Sequence, residues 1–393
     1  MLKDKPKVSI VIPVFNGTNY LAQAIDSALA QTYNNIEVLV IDDGSTDSGA
    51  TEKKALSYGD KIRYFRKPNE GVASALNFGI KKMEGEYFSW LSHDDLYERS
   101  KIADQIELVE SLGGSHNIVA CNARMLYQNG IKKPMKMDSQ IFKHLSIFLA
   151  TSARVGLNGC SLLIPRQALV ESGGFNTSLP FTQDYDMWHR LGDKHGYRFV
   201  LLEKELVLYR VHANQDSLAK SELCVRAGDE LRSKLLKEIP FSDYRGYFAE
   251  RESNIDIFIS DYKAYKESGH FHAASEMLRI LFKYYDLHDK NKLYDIFLKE
   301  VDVHALKRMP LFRIKSSHFN VDDKKYVREA IPLLYSRIIG DNDILIPLKL
   351  SMPINMSELS ASRRILWRIS QNLKNEGIRI TTQKLIKKVI QSH

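Results

Sequence analysis

The stretch EYFSWLSHDDLYERS, residues 86–100, sends Tyr87, Phe88, Trp90 and Leu91 toward an interior and then sets His93, Asp94 and Asp95 in a row. Adjacent carboxylates repel unless water or a shared cation compensates them, and buried charge left uncompensated costs several kcal/mol. The pattern suits either a solvated strand end leading into a helix or a site for a divalent cation and a polyphosphate. Magnesium and manganese take oxygen ligands and often bind through one or two carboxylates plus substrate phosphates. Asp94 and Asp95 are too few for a closed cage but suit an open site finished by a diphosphate. His212 offers a nitrogen, which manganese accepts more readily than magnesium. Comparable polar groups follow other apolar runs: Asn16, the pair Asp42 and Asp43, then Asn69 and Glu70. The first run is followed by no GxGxxG, and no GxxxxGK[ST] occurs, which argues against a dinucleotide fingerprint and a P-loop. Gly44 and Ser45 leave room for backbone to approach a ligand.

The elements that must position these residues follow from periodicity. VSIVIPVF (8–15) and IEVLVIDD (36–43) are continuous apolar runs of the kind found in strands covered on both faces. Thr18 is placed to cap a helix in which Leu21, Ala24, Ile25, Ala28 and Leu29 recur at helical spacing. KIRYFRKPNEG (61–71) reads as a third strand, Val72 to Met83 as a helix, EYFSWLS (86–92) as a fourth strand and Lys101 to Leu112 as another helix. Such alternation predicts an α/β fold with a parallel sheet and ligands at the carboxyl ends of the strands. Each carboxylate alone is an ordinary turn or cap residue; their coincidence on one sheet edge is what suggests a site. Further strands are expected over 117–127 and 198–212, and a helix over 183–196 with Trp188 and Leu191 inward. Beyond about Leu218 glycine becomes sparse and helical stripes take over, with Gly269 as a hinge between two helices.

The chain has 393 residues, more than a usual single domain, with 44% hydrophobic and 26% charged residues. We expect a catalytic domain over 1–218, a helical extension over 219–340 and a basic amphipathic tail over 341–393. The formal net charge is +8. Residues 353–393 hold eight Lys or Arg against Glu358 and Glu376, a net of +6, which suits either a solvated face or an anionic membrane surface. Cys121, Cys160 and Cys224 form no CxxC pair, so a reducing compartment fits better than a disulfide framework. The opening MLKDKPK carries no apolar signal region, and no apolar run approaches the length of a membrane span. No zinc-finger, RNP or helix-turn-helix signature accompanies the basic tail, so nucleic acid is not an expected partner.

Residues 8–47, NEGVASALNFGIKKMEGEYFSWLSHDD (69–95), FTQDYDMWHRL (181–191) and YRVH (209–212) together resemble the GT-A catalytic domain of family 2 glycosyltransferases, over about residues 6–215. The resemblance implies a GT-A, Rossmann-like, mostly parallel central sheet with flanking helices, followed by a largely α-helical C-terminal region. It implies an inverting, Mn2+- or Mg2+-dependent transfer of one sugar from a nucleotide diphosphate sugar to a hydroxyl of a saccharide or lipid-linked saccharide. Pro13 and Asp43 would line the nucleoside pocket, with Asp43 accepting from the base, commonly uracil. Val14, Asn16, Asn69, Gly71, Asn77, His93 and Asp94 complete the expected nucleotide-binding set; Asp94, Asp95 and His212 are the expected metal ligands. Asp184 matches the catalytic base, although by local sequence it also reads as a carboxylate favoured by a helix start. Two positions depart from the family pattern: Ser92 stands where its metal signature has a first acidic residue, and Gln183 where Glu is frequent. The chain lacks a QxxRW run, so it does not resemble processive synthases. Surface polysaccharide synthesis in the cytoplasm or at the inner face of the plasma membrane, with homo-oligomerisation open, completes the expectation. The alternatives are a sugar-nucleotide nucleotidyltransferase, whose glycine- and basic-rich opening loop is missing, and a nonenzymatic sugar-nucleotide sensor or scaffold.

Overall fold

The computed structural model describes residues 5–114, 116–151, 157–212, 215, 220–288, 312–315 and 343–346. They belong to two compact units, one ending at Leu235 and the other beginning at Leu236.

The first unit opens with strand β1 (Val8–Val14), buried at every position. Helix α1 (Leu21–Leu29) turns Leu21, Ala24, Ile25 and Ala28 inward. Its cap is Tyr20, with no side-chain capping bond; Thr18 does not cap it, because the backbone carbonyl of Gly17 already accepts from Tyr20 and Leu21. Then come β2 (Ile36–Asp42), α2 (Ala50–Leu56), β3 (Arg63–Arg66), α3 (Val72–Lys82) and β4 (Tyr87–Trp90). β1 pairs in parallel with β2 and β4, and β2 with β3. The registers set Val14 beside Asp42, Asp42 beside Arg66 and Val11 beside Trp90, so four carboxyl ends share one edge.

The chain continues through β5 (Leu96–Tyr97), α4 (Lys101–Ser111), β6 (Asn117–Tyr127), β7 (Lys132–Met135), α5 (Leu145–Thr151), β8 (Leu162–Pro165), α6 (Arg166–Glu171), α7 (Gln183–His189), β9 (Arg198–Val211) and α8 (Ser221–Glu238). The sheet has nine strands in the order β3-β2-β1-β4-β8-β6-β9-β5, with β7 on β6. Four of its pairings are parallel and four antiparallel, so the sheet is mixed where the sequence predicts a mostly parallel one. Helical crossovers impose parallel order on the first four strands, whereas the turn at Gly130 folds β7 back on β6 and β8 enters antiparallel to both its neighbours. The predicted third strand shrinks to the four residues of β3. The predicted helix 183–196 is α7 followed by a π-helical turn over Arg190–Lys194. β5 matters beyond its length: Leu96 pairs with Leu208 of β9, which carries Asp94 and Asp95 to the far end of that strand.

The second unit holds α9 (Phe241–Glu250), α10 (Glu252–Ser268) and α11 (Phe271–His288), packed around buried Tyr244, Phe248, Phe258, Tyr262 and Tyr265. Gly269, at φ +89°, ends α10 as the hinge the sequence predicts. Phe312–Lys315 and Asp343–Ile346 form an antiparallel pair. The basic amphipathic tail predicted over 341–393 lies outside the described residues except for Asp343–Ile346. Among the described residues no helix is long and apolar enough to cross a membrane.

Candidate functional site

At the end of β1 Pro13 and Val14 are buried, and the next residue, Phe15, exposes its ring by 43%. Asn16 takes a positive φ of 52°. That bend lets its backbone N–H donate to Ser45 Oγ and its side chain exchange bonds with Thr46, at 3.2 Å to the hydroxyl and 2.7 Å from the amide. β1 and β2 are thereby laced together at the edge. Asp42 is turned inward, accepting from the Ser45 amide at 2.8 Å and the Tyr64 hydroxyl at 2.7 Å. Asp43 faces the loop after β3. Its Oδ1 accepts from Lys67 Nζ at 2.7 Å, and its Oδ2 from the Gly71 amide at 2.7 Å, with the Glu70 amide shared between them at 3.2 and 3.3 Å. Both Lys67 and Asp43 side chains are buried to within 8%. Burial opposes the Lys67 charge, but bonds to Asp43 and Glu70 outweigh it and hold the ammonium pKa above its usual value. Asn69 is exposed at the tip of the loop, and Gly71, at φ +89°, leads into α3.

A second cluster sits beside the first. A Cβ on Gly17 would lie 2.6 Å from His93 Cδ2 and 2.3 Å from Val14 Cγ2, so the glycine is what lets the His93 ring settle against the end of β1. Asp94 Oδ2 lies 3.0 Å from His212 Nε2. Arg210 locks this arrangement: its backbone N–H donates to Asp95 Oδ1 at 2.9 Å, Nε donates to the Asp94 carbonyl at 2.8 Å and Nη2 to Gln23 Oε1 at 2.7 Å. Its guanidinium stacks 4.3 Å above the Tyr20 ring, and the His212 ring is 5.0 Å from the same tyrosine. Asp95 turns away from Asp94. It is buried, with Oδ1 on Arg210 and Oδ2 accepting from Cys160 Sγ at 3.5 Å. Burial, then the neighbouring Asp94 charge, pushes its carboxyl far above the usual range. Ser92 is tied to the same sulfur through its amide and its hydroxyl, each at 3.3 Å.

The resemblance implies a divalent cation. Among the described residues no group of three or more His, Cys, Asp or Glu is placed to hold one. Asp94 and His212 nevertheless fit a cation that draws its remaining ligands from a diphosphate and water, since one carboxylate and one imidazole face each other within hydrogen-bond distance. Asp95, with both oxygens held by protein donors, is not part of that facing pair.

Asp184 occupies the first turn of α7, half-buried, with Oδ1 accepting from the Tyr185 amide at 2.9 Å. Burial raises its carboxyl pKa to about 6, opposed by backbone bonds and by the nearby Arg232 cation. No hydrogen bond among the described residues joins Asp184 to either cluster. Its helix is instead fixed by packing: Phe175 meets both Trp90 and Trp188 edge-on, with centroids 6.0 Å away in each case, and Trp188 Nε1 donates to the Leu157 carbonyl. Asn77 belongs to this framework. Its amide donates to the Phe175 carbonyl and accepts from the Phe175 N–H, both at 2.8 Å, which spends it on the segment leading to α7. Beside Asp184, Thr182 Oγ1 and Gln183 Oε1 are buried without a hydrogen-bond partner among the described residues. Leaving such groups unmatched costs about 1–3 kcal/mol each.

Sequence reasoning missed Lys67, Cys160 and Arg210. Arg210 lies within the YRVH stretch, but its role depends on the β5–β9 pairing; Lys67 follows β3 directly, where a cation beside Asp43 could have been suspected.

Several known proteins are similar. A segment is 49% identical over 214 residues to an uncharacterized glycosyltransferase of Rickettsia felis, covering 54% of this chain and 35% of that protein. Another of Rickettsia typhi is 50% identical over 189 residues, covering 47% and 58%. The chain thus spans well under two thirds of the length of these curated relatives. Among solved structures, S. aureus TarS 1–349 in complex with UDP-GlcNAc aligns at 15% identity and a TM-score of 0.47, covering 77% of this chain and 84% of that one; so loose a likeness carries no argument about ligands. The profile of glycosyl transferase family 2 matches residues 9–205, a span that takes in Asp43, Asp94 and Asp184, and the chain belongs to that family.

Proposed function

We propose that this chain transfers a single sugar, with inversion, from a nucleotide diphosphate sugar to a hydroxyl of a saccharide or lipid-linked saccharide in surface polysaccharide synthesis. The observation that carries the reading is the meeting of two clusters at the carboxyl edge of β1, β2 and β4, joined where His93 rests on Gly17. Asp43, whose amide is tied to the Val14 carbonyl at the end of β1, is assigned to accept from a nucleobase imide N–H, which favours a uracil and hence a UDP-linked donor. His93, Asp94 and His212 lie where the diphosphate would follow. A bound Mn2+ or Mg2+ held by Asp94 and His212 would neutralise the charge of the departing diphosphate.

Asp184 acts as the base. Its carboxylate takes the proton of the acceptor hydroxyl as that oxygen attacks the anomeric carbon opposite the leaving nucleoside diphosphate, so no covalent intermediate is required. The catalytic domain is residues 1–218, followed by an extension over 219–340 and by a basic stretch over 341–393 that would attach the protein to an anionic membrane at the cytoplasmic face. A thermal-shift screen of nucleotide sugars with manganese, followed by transfer assays with the best donor, tests the reading. Selective stabilisation by a UDP-sugar is expected; an equal response to dinucleotides or ATP would redirect it.

A further inference from the structure

Helix α8 follows the sheet and brings a cation to the base. Arg232 sits with its guanidinium carbon 5.4 Å from the ring centroid of Tyr185, the residue next to Asp184. Leu231 and Leu235 are buried on the same helix. We propose that Arg232 is the positioning residue of the base: it holds Tyr185 against the start of α7 and keeps a positive charge beside the Asp184 carboxylate, so that the helix after the sheet completes the acceptor side of the site. This rests on the assignment of Asp184 as the base.

The physical argument is a balance of opposing effects. Asp184 is desolvated, which disfavours its ionised form, and a nearby cation favours that form. The other groups around it do not replace Arg232. Tyr185 is neutral over the working range, since burial pushes its pKa to about 12. Asp186 is paired with Arg190 at 2.8 Å, and Arg190 also donates to the carbonyls of Ser172 and Gly174. On α8, Glu230 is paired with Arg226 at 3.2 Å, and the carboxyl of Asp229 is buried one turn before Arg232. Among the described residues Arg232 is the cation that acts on Asp184, so its loss should let the carboxyl hold its proton to higher pH by about one unit.

The test uses the full chain with 13C-labelled aspartate carboxyls, the Asp184 resonance being the one lost in Asp184→Asn. Wild type should titrate with a midpoint of about 6. Arg232→Met and Arg232→Gln should each raise it by about one unit, while Arg232→Lys stays near wild type. UDP release from UDP-glucose and UDP-N-acetylglucosamine, used as probes, should fall roughly five-fold at pH 6 in the neutral variants and little at pH 8. An unchanged midpoint in a folded neutral variant, or a lysine variant behaving like the neutral ones, overturns the proposal. If neither neutral variant folds, Tyr185→Leu, which removes the ring beneath Arg232, takes their place, an upward midpoint supporting the idea and an unchanged one overturning it. The NMR midpoint decides whichever donor the enzyme prefers. Turnover surviving in Asp184→Asn would instead remove the base assignment and leave the measured effect of Arg232 intact.

Discussion

Replacing Asp184 by Asn should make the protein more stable while stopping its reaction. The carboxyl has an ordinary value of 3.8 and is raised to about 6 in the fold, chiefly by burial. A raised value means that the folded state binds the proton more tightly than the unfolded chain. Stability from this group is therefore complete below pH 3.8 and is lost as pH rises to 6, above which the loss is constant. Two pKa units correspond to about 3 kcal/mol. An asparagine has the size of the acid and never ionises, so Asp184→Asn should match wild type near pH 3.5 and exceed it by roughly 2–3 kcal/mol at pH 8. For a unit of this size that is a rise of about 5–10 °C in melting temperature. The assay is a pair of melting curves for each protein across this range, with donor turnover measured alongside. A stability difference independent of pH would refute the reasoning, because it would mean that the carboxylate is not desolvated.

Other consequences follow from single contacts. Turnover in Asp184→Asn should drop by about 10²–10⁴-fold with nucleotide-induced thermal shifts kept, and wild-type turnover should fall as pH drops below about 6, checked by UDP release. Lys67→Met removes the cation from a buried pair with a 2.7 Å contact and should destabilise by about 3 kcal/mol, less in an Asp43→Asn background, as a double-mutant denaturation cycle would read. Gly17→Ala forces a Cβ into His93 and Val14 and should cost about 1–3 kcal/mol while weakening nucleoside diphosphate binding by calorimetry. Asn77→Ala deletes two bonds to the Phe175 backbone and should lower stability by about 2 kcal/mol in urea unfolding.

Much of the first unit is legible because its strands are continuous apolar runs that end in polar residues. β1, β2 and β4, with α1, α3 and α4, appear in the periodicity, whereas the short α2 does not, and the strand-end carboxylates mark the edge. The mixed character of the sheet is not legible. Whether β8 runs with or against β4 depends on which strand it meets, and a short apolar run does not encode its neighbour. Direction of side chains is hidden for the same reason. Asp94 and Asp95 are equivalent in sequence, and only the β5–β9 pairing, which brings Arg210 to Asp95, and the turn before β8, which brings Cys160, give them separate duties. Asn77 looks like a free amide in the run LNFG but is spent on Phe175, 98 residues away.

The most direct measurement is a crystal structure of the full chain with a UDP-sugar and Mn2+. The account predicts the uracil against Asp43, the diphosphate between His93, Asp94 and His212, and the sugar toward Asp184. A nucleotide bound away from this edge, or a sugar pointing away from Asp184, would contradict it.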